Sequence, residues 1–365
     1  VRDQPTATAG QGQAAQEEDP LRGSTFLFDQ SMSTATAHLE PSPQQSYVPF
    51  YGWWLSLRPR WNFDDHWRVQ ARLDYYKELT NSQETTLYRE DVFGDIWTDL
   101  VYSTALADDG PWKNTKVSFG LRALWPTSKA SQGEGVYVTT GATAGIRQKV
   151  WLEGQDAKAL NAARFGLDVA YLHPFSSATT PNDYGTFAYV RENVDGYSFV
   201  SDQLTGQTLA DHTLFGIFDF GLDVTPKLAL SIDWILINQW HYAPTNACAD
   251  AFPAPACPPR IDDNQFTQLG WFVVDAEYEL LPELSIGLGY YNLANTVGPN
   301  GQANTLFGGG ENNLLWSPDA RVFLDLTANL DDIYEDASGK YRSKPGQTAA
   351  AAHAAHVQQV ANTIH

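Results

Sequence analysis

Apolar and polar residues alternate with a period of two along much of the chain. The clearest case spans Leu214 to Leu236. Even positions hold Leu214, Phe218, Phe220, Leu222 and Val224, then Leu228, Leu230, Ile232, Trp234 and Leu236. Odd positions hold Asp219, Gly221, Asp223, Ala229, Ser231 and Asp233. Successive strand side chains point to opposite faces, whereas a helix would scatter these aspartates around its circumference. Thr225-Pro226-Lys227 suits a tight turn, because proline lacks the N–H that a central ladder needs. The stretch predicts a β-hairpin with one apolar and one polar face.

The same rhythm predicts twelve strands, at 24–34, 47–63, 67–79, 90–105, 113–127, 136–151, 160–174, 211–224, 227–242, 265–280, 284–296 and 313–330. Many exceed the ~5–6 residues usual in soluble domains and reach the ~9–11 that a tilted strand needs to cross a bilayer. Short connections ("FDDH", "ADDGPW", "EGQDAKA", "TPK", "LPE") alternate with long ones at 35–46, 80–89, 128–135, 175–210, 243–264 and 297–312. Short turns at one end and long loops at the other are a mark of transmembrane β-barrels. The chain here resembles the bacterial outer-membrane β-barrel class, broadly porin-like, over residues 24–330. That resemblance implies a closed antiparallel barrel in a Gram-negative outer membrane, short turns and both termini periplasmic, long loops extracellular. One departure is that such barrels usually end on an aromatic residue, whereas here "ARVFLDLTANL" runs on into a tail.

Parity separates the two faces. Tyr51, Trp53, Leu55, Leu57 and Trp61 fall on the proposed lipid face, as do Trp67, Val69, Ala71, Leu73 and Tyr75. Val117, Phe119, Leu121, Ala123 and Trp125 continue it, followed by Phe272, Val274, Tyr278 and Leu280, then Leu284, Ile286, Leu288 and Tyr290. Trp61 and Trp67 flank a short turn, where an interfacial aromatic belt belongs.

The opposite face is charged. The candidate basic lining is Arg58, Arg60, Arg68, Arg72, Lys116, Arg122, Arg147, Lys149 and Arg164. The candidate acidic lining is Asp219, Asp223, Asp233, Asp275, Glu277 and Glu279. Arg58 should lie near Arg72, and Asp219 should pair across the ladder with Asp233. In a closed tube the two groups would face each other across the lumen, like the transverse field of a porin constriction. Two readings stay open: a passive channel for small hydrophilic solutes or ions, and a barrel plugged by an internal salt-bridge network, because narrow barrels can be filled by side chains. Phe215, Ile217, Ile235 and Ile237 also have inward parity, so something should cover them. The segment 175–210, with its "YVRENVDGYSFV" hairpin signal, is the candidate cap; as membrane strands it would raise the count to fourteen.

Composition narrows the field. The 365 residues carry 12 Trp, 17 Tyr and a net charge of −20, which argues against a nucleic-acid partner. Cys248 and Cys257 are too far apart for a CxxC site and predict a disulfide in a proline-rich loop, with two free thiols as the alternative. No signal peptide is visible at "VRDQPTATAG", so a mature chain is expected. Residues 1–23 read as a flexible periplasmic arm, and 331–365 as a partly helical periplasmic tail. Within the tail, His353 and His356 lie one helical turn apart, where solvated histidines are favoured over a metal pair.

No Walker loop, GxGxxG, HExxH or GxSxG occurs. Neither an enzyme, a cofactor nor a metal is expected. His173 has outward parity without a serine partner, which weighs against a lipid-face hydrolase. The expected partners are outer-membrane lipid or lipopolysaccharide, small hydrophilic solutes, and a periplasmic or surface protein through the tail.

Overall fold

A computed structural model describes residues 20–34, 36–37, 50–80, 89–107, 109–152, 160–179, 191–192, 198–199, 208–243, 265–296, 313–317 and 320–337. Its strands are β1 Thr25–Ser33, β2 Tyr51–Arg58, β3 Arg60–Asn62, β4 Trp67–Glu78, β5 Asp91–Phe93, β6 Ile96–Ala105, β7 Thr115–Trp125 and β8 Val136–Trp151. They continue with β9 Ala162–Ser176, β10 Arg191–Glu192, β11 Ser198–Phe199, β12 Ala210–Asp223, β13 Leu228–His241, β14 Phe266–Leu281, β15 Leu284–Asn295 and β16 Arg321–Asn329.

Each long strand pairs antiparallel with its neighbours, and β1 pairs with both β16 and β2. The ring closes where β2 pairs with β4. Twelve staves result, with β3 continuing β2 past Pro59 and β5 appended to β4. Closure pairs each of the twelve staves with a neighbour on both sides, the condition a β-structure must meet in lipid. The β10–β11 pair forms a separate two-stranded sheet, so the fourteen-strand alternative does not hold.

Burial confirms the parity. Along β2 the pattern alternates from half-buried Tyr51 through buried Gly52, exposed Trp53 and buried Trp54 to buried Arg58. The outward face is apolar and open: Leu121 is 65% exposed, Leu288 63% and Phe119 58%. A contiguous apolar exterior of this extent is a membrane-contacting surface. Exposed aromatics gather at both rims, with Trp61, Phe63, Trp67 and Trp112 toward the short turns. Phe93, Trp125, Tyr137, Phe175 and Trp240 lie toward the long loops. Such girdles mark the two membrane–water interfaces.

The turn at Thr225 is built as its residues suggest: Leu228 N donates to Thr225 Oγ1 at 2.9 Å, and Thr225 N to Leu228 O at 3.1 Å. The last strand corrects the sequence-based boundary, for it begins at Arg321 rather than at 313. Upstream, "NNLLWSPD" has no period of two. Asn313–Ser317 instead forms a turn over the outer face of β15. Asn292, fully buried there, donates to the carbonyls of Asn313 at 3.0 Å and Leu314 at 3.2 Å, and accepts from Ser317 Oγ at 2.6 Å.

At the short-turn end, Pro20–Gly23 is tied to the barrel wall. Asn62 N donates to Pro20 O at 2.7 Å, and Gly23 N to Asp331 of the helix Leu330–Ala337 at 2.8 Å. Cys248, Cys257, His353 and His356 lie outside the described residues, as does most of the expected cap at 175–210.

Candidate functional site: the barrel interior

All the charged side chains assigned to the interior by parity share the alternate face from the lipid-facing aromatics. Asp233 is fully buried, and Arg58, Arg72, Asp275, Glu277 and Glu279 are each less than 9% exposed. Arg60, Arg68, Arg122, Lys149, Arg164, Asp219 and Asp223 are half-buried, while Lys116 and Arg147 are exposed. Asp219 stands directly across the β12–β13 ladder from Asp233, as the register predicted. Arg58 lies close enough to Arg72 for their charges to interact.

The charge distribution is finer than two opposed walls. The basic side carries its own acids, Asp74, Glu78 and Asp99, which alternation along β4 and β6 also sends inward. Arg72 Nη2 meets Asp74 Oδ2 at 2.6 Å. Arg122 grips Asp99 with two bonds, Nε to Oδ1 at 2.6 Å and Nη2 to Oδ2 at 2.9 Å. Gln70 Nε2 donates to the same carboxylate at 2.9 Å. Trp97 lies between two guanidinium groups, Arg122 at 4.7 Å and Arg72 at 5.5 Å from its ring centre. Such stacking stabilises a desolvated cation.

Where basic and acidic sides meet, ion pairs join them. Arg147 Nη2 reaches Asp168 Oδ2 at 2.6 Å, Lys149 Nζ reaches Asp223 Oδ2 at 2.9 Å, and Arg164 Nε reaches Asp223 Oδ1 at 3.0 Å. Asp168 and Asp219 lie against the wall over glycines. A Cβ on Gly145 would stand 1.9 Å from Asp168 Oδ1, and one on Gly166 would stand 3.1 Å from Asp219 Cγ. Around the acidic side, serines donate to carboxylates: Ser231 Oγ to Asp275 at 2.6 Å and Ser285 Oγ to Glu277 at 2.5 Å. Asp29 stands opposite Asp325 across β1 and β16, a second direct carboxylate pair that the sequence reading missed.

Toward the long-loop end the interior turns apolar. Phe215, Ile217, Ile235 and Ile237 are covered as expected, at 0–6% exposure. They belong to a core with Trp97, Leu124, Leu172, Trp271, Val273 and Phe323, contributed by strands around the barrel. Water reaches the interior elsewhere. The side chain of Arg147 is 43% exposed, that of Lys149 34% and that of Asp168 22%, against 9% for both Arg122 and Asp99. The inward neighbours on that side are small: Ser118, Gly120, Thr143, Gly145 and Gly166 on β7, β8 and β9.

No family model matches the chain, and no curated protein matches its sequence. Solved structures of outer-membrane β-barrels are similar to it in architecture. An outer membrane channel of Pseudomonas putida F1 is 12% identical, with a TM-score of 0.45, covering 86% of this chain and 98% of that one. The outer membrane channel DcaP of Acinetobacter baumannii is 12% identical, with a TM-score of 0.29, covering 83% of this chain and 71% of that one. Outer membrane phospholipase A of Escherichia coli is 10% identical, with a TM-score of 0.30, covering 84% and 92%. These barrels differ in activity, and none of their activities transfers at such similarity.

Proposed function

We propose that the protein is a bacterial outer-membrane channel for small hydrophilic solutes or ions, with its short turns in the periplasm. The observation that carries this reading is the wet seam along β7–β9, where Arg147, Lys149 and Asp168 point inward yet stay open to water. Ionised groups inside an apolar shell that keep solvent contact provide a polar path, and their field would orient dipolar solutes. On this reading the path would run beside the small inward residues of β7, β8 and β9.

The buried apolar layer near the long loops favours a second reading, a closed scaffold barrel that holds partners through its loops and tail. Planar-bilayer recording of the purified protein separates the two. Stepwise currents support the channel, and silence supports the scaffold. If a path exists, Arg147→Ala with Lys149→Ala should raise cation preference by removing two positive charges that face water. The more deeply buried pair Arg58→Ala with Arg72→Ala should change selectivity less.

A further inference from the structure

From the outer face of the barrel, at the long-loop end of β9 and β12, we infer a binding site for a single divalent transition-metal ion of the zinc type, held by His173, Asp211 and His212. Among the described residues, these three form a group whose ligand atoms all lie within 4.8 Å of one another. His173 Nδ1 lies 3.3 Å from Asp211 Oδ1, and His212 Nε2 lies 3.3 Å from Asp211 Oδ2. Zinc–ligand bonds of about 2.0–2.1 Å set tetrahedral edges of roughly 3.3 Å. The carboxylate therefore already stands at coordination distance from a nitrogen of each imidazole, and the two rings are stacked with 5.2 Å between centres.

A break in the strand assembles the group. Regular alternation would send Asp211 inward with Thr213 and Phe215. The β12–β13 register shifts between Ala210 and His212, leaving Asp211 as an extra residue. A bulge of this kind re-aims a side chain. Here it turns the carboxylate outward between two histidines whose own parity is outward.

The surroundings suit a metal ligand set. Tyr171 hydroxyl bonds His212 Nδ1 at 2.6 Å, which orients that ring with Nε2 toward Asp211. His173 Nδ1 donates to the main-chain carbonyl of Asp211 at 2.7 Å, a bond that must give way for this nitrogen to ligate, and Tyr242 hydroxyl bonds the Asp211 side chain. Outer hydrogen bonds that fix imidazole orientation and carboxylate position are what bound metals require. Two imidazoles and one carboxylate select zinc, nickel, copper or cobalt over calcium or magnesium, which prefer all-oxygen shells. His173, Asp211 and His212 retain partial exposure beside the interfacial girdle residue Trp240, leaving room for a fourth ligand.

The test is metal binding by the full-length protein folded in detergent, titrated with Co²⁺ alone and then displaced by Zn²⁺. The expected result is one equivalent of Co²⁺ with the intense visible bands of a tetrahedral site, bleached by Zn²⁺. His173→Ala and His212→Ala should each weaken binding by more than about 100-fold, beyond the loss usual for an outer-shell partner. His353→Ala with His356→Ala should leave it unchanged. Asp211→Asn keeps the side-chain shape and should also weaken binding, so a histidine variant that fails to fold does not decide the matter. Absence of Co²⁺ binding in the wild type overturns the proposal, as does binding that survives His212→Ala or disappears with the tail histidines; a hydrogen-bonded strap between β9 and β12 would then be the group's whole role.

Discussion

Arg122→Ala tests whether part of the barrel interior is dry. Arg122 and Asp99 face each other across β6 and β7, joined by two bonds and each 9% exposed in its side chain. Removing the guanidinium leaves Asp99 bonded to the Gln70 amide but without its counter-charge, and strips Trp97 of one stacked cation. A carboxylate left buried without its counter-charge costs about 3–5 kcal/mol. Replacing both partners, as Arg122→Leu with Asp99→Leu, removes the orphan and should recover most of that loss. Arg147→Ala offers the internal comparison. Its pair with Asp168 has one strong bond of 2.6 Å but is 43% and 22% exposed, so water can solvate the remaining partner. The expected cost there is about 0–1 kcal/mol. The assay is reversible urea unfolding of the full chain in lipid vesicles, followed by tryptophan fluorescence. Equal costs near 1 kcal/mol would refute the reasoning, since a pair screened like a surface ion pair cannot sit in a dry layer.

Three further outcomes follow from the same geometry. Leu121→Arg places a charge at the middle of the lipid face and should cost about 2–4 kcal/mol in that unfolding assay; a loss under about 0.5 kcal/mol would show that β7 does not face acyl chains. Gly145→Val should displace Asp168 from its seat on the wall and break its bond to Arg147, read as altered single-channel conductance or selectivity in planar bilayers, and an unchanged current trace would count against a path along β8. Glu134, outside the membrane span beside the short helix Lys129–Gly133, has its carboxyl raised from 4.5 to about 7, chiefly by burial and then by Asp95. The folded state thus binds this proton more tightly than the unfolded chain, so the stability contribution is full below about pH 4.5 and is lost as pH rises through about 7. Glu134→Gln should flatten stability across that interval; an undiminished slope would rule the group out as its source.

Much of the fold was legible because a one-residue slip in a strand exchanges its faces, so a barrel in lipid cannot tolerate ambiguous alternation. Trp53, Leu55 and Leu57 could only go outward together, and that choice fixed Arg58 inward. The strands read at 47–63 and 90–105 ran straight through Pro59 and Gly94, where the structure divides them into β2 with β3 and β5 with β6. The acids on the basic side, Asp74, Glu78 and Asp99, obeyed the same parity and were readable. The carboxylate of Asp211 was not, because a bulge inserts one residue without a sequence mark and reverses the expected direction. Nor did alternation announce that Asn313–Ser317 would lie over β15, since that contact depends on Asn292 finding buried partners outside the barrel.

The division of the interior into wet and dry parts follows from what stands opposite each charge. Arg72 faces Trp97 across β4 and β6, and the indole fills the space into which water would otherwise enter. Arg147 faces Gly166 across β8 and β9, and two residues along its own strand lies Gly145. Those positions supply no side-chain volume, so the guanidinium can bond Asp168 and still remain solvated. The same charge type is consequently buried on one side of the barrel and open to water on the other. A large apolar residue at Gly145 or Gly166 would extend the dry layer across β8 and β9, while shortening Trp97 would admit water beside Arg72. On the proposed channel reading, permeability would be set by the size of the uncharged inward residues, and selectivity by the charges those residues leave uncovered.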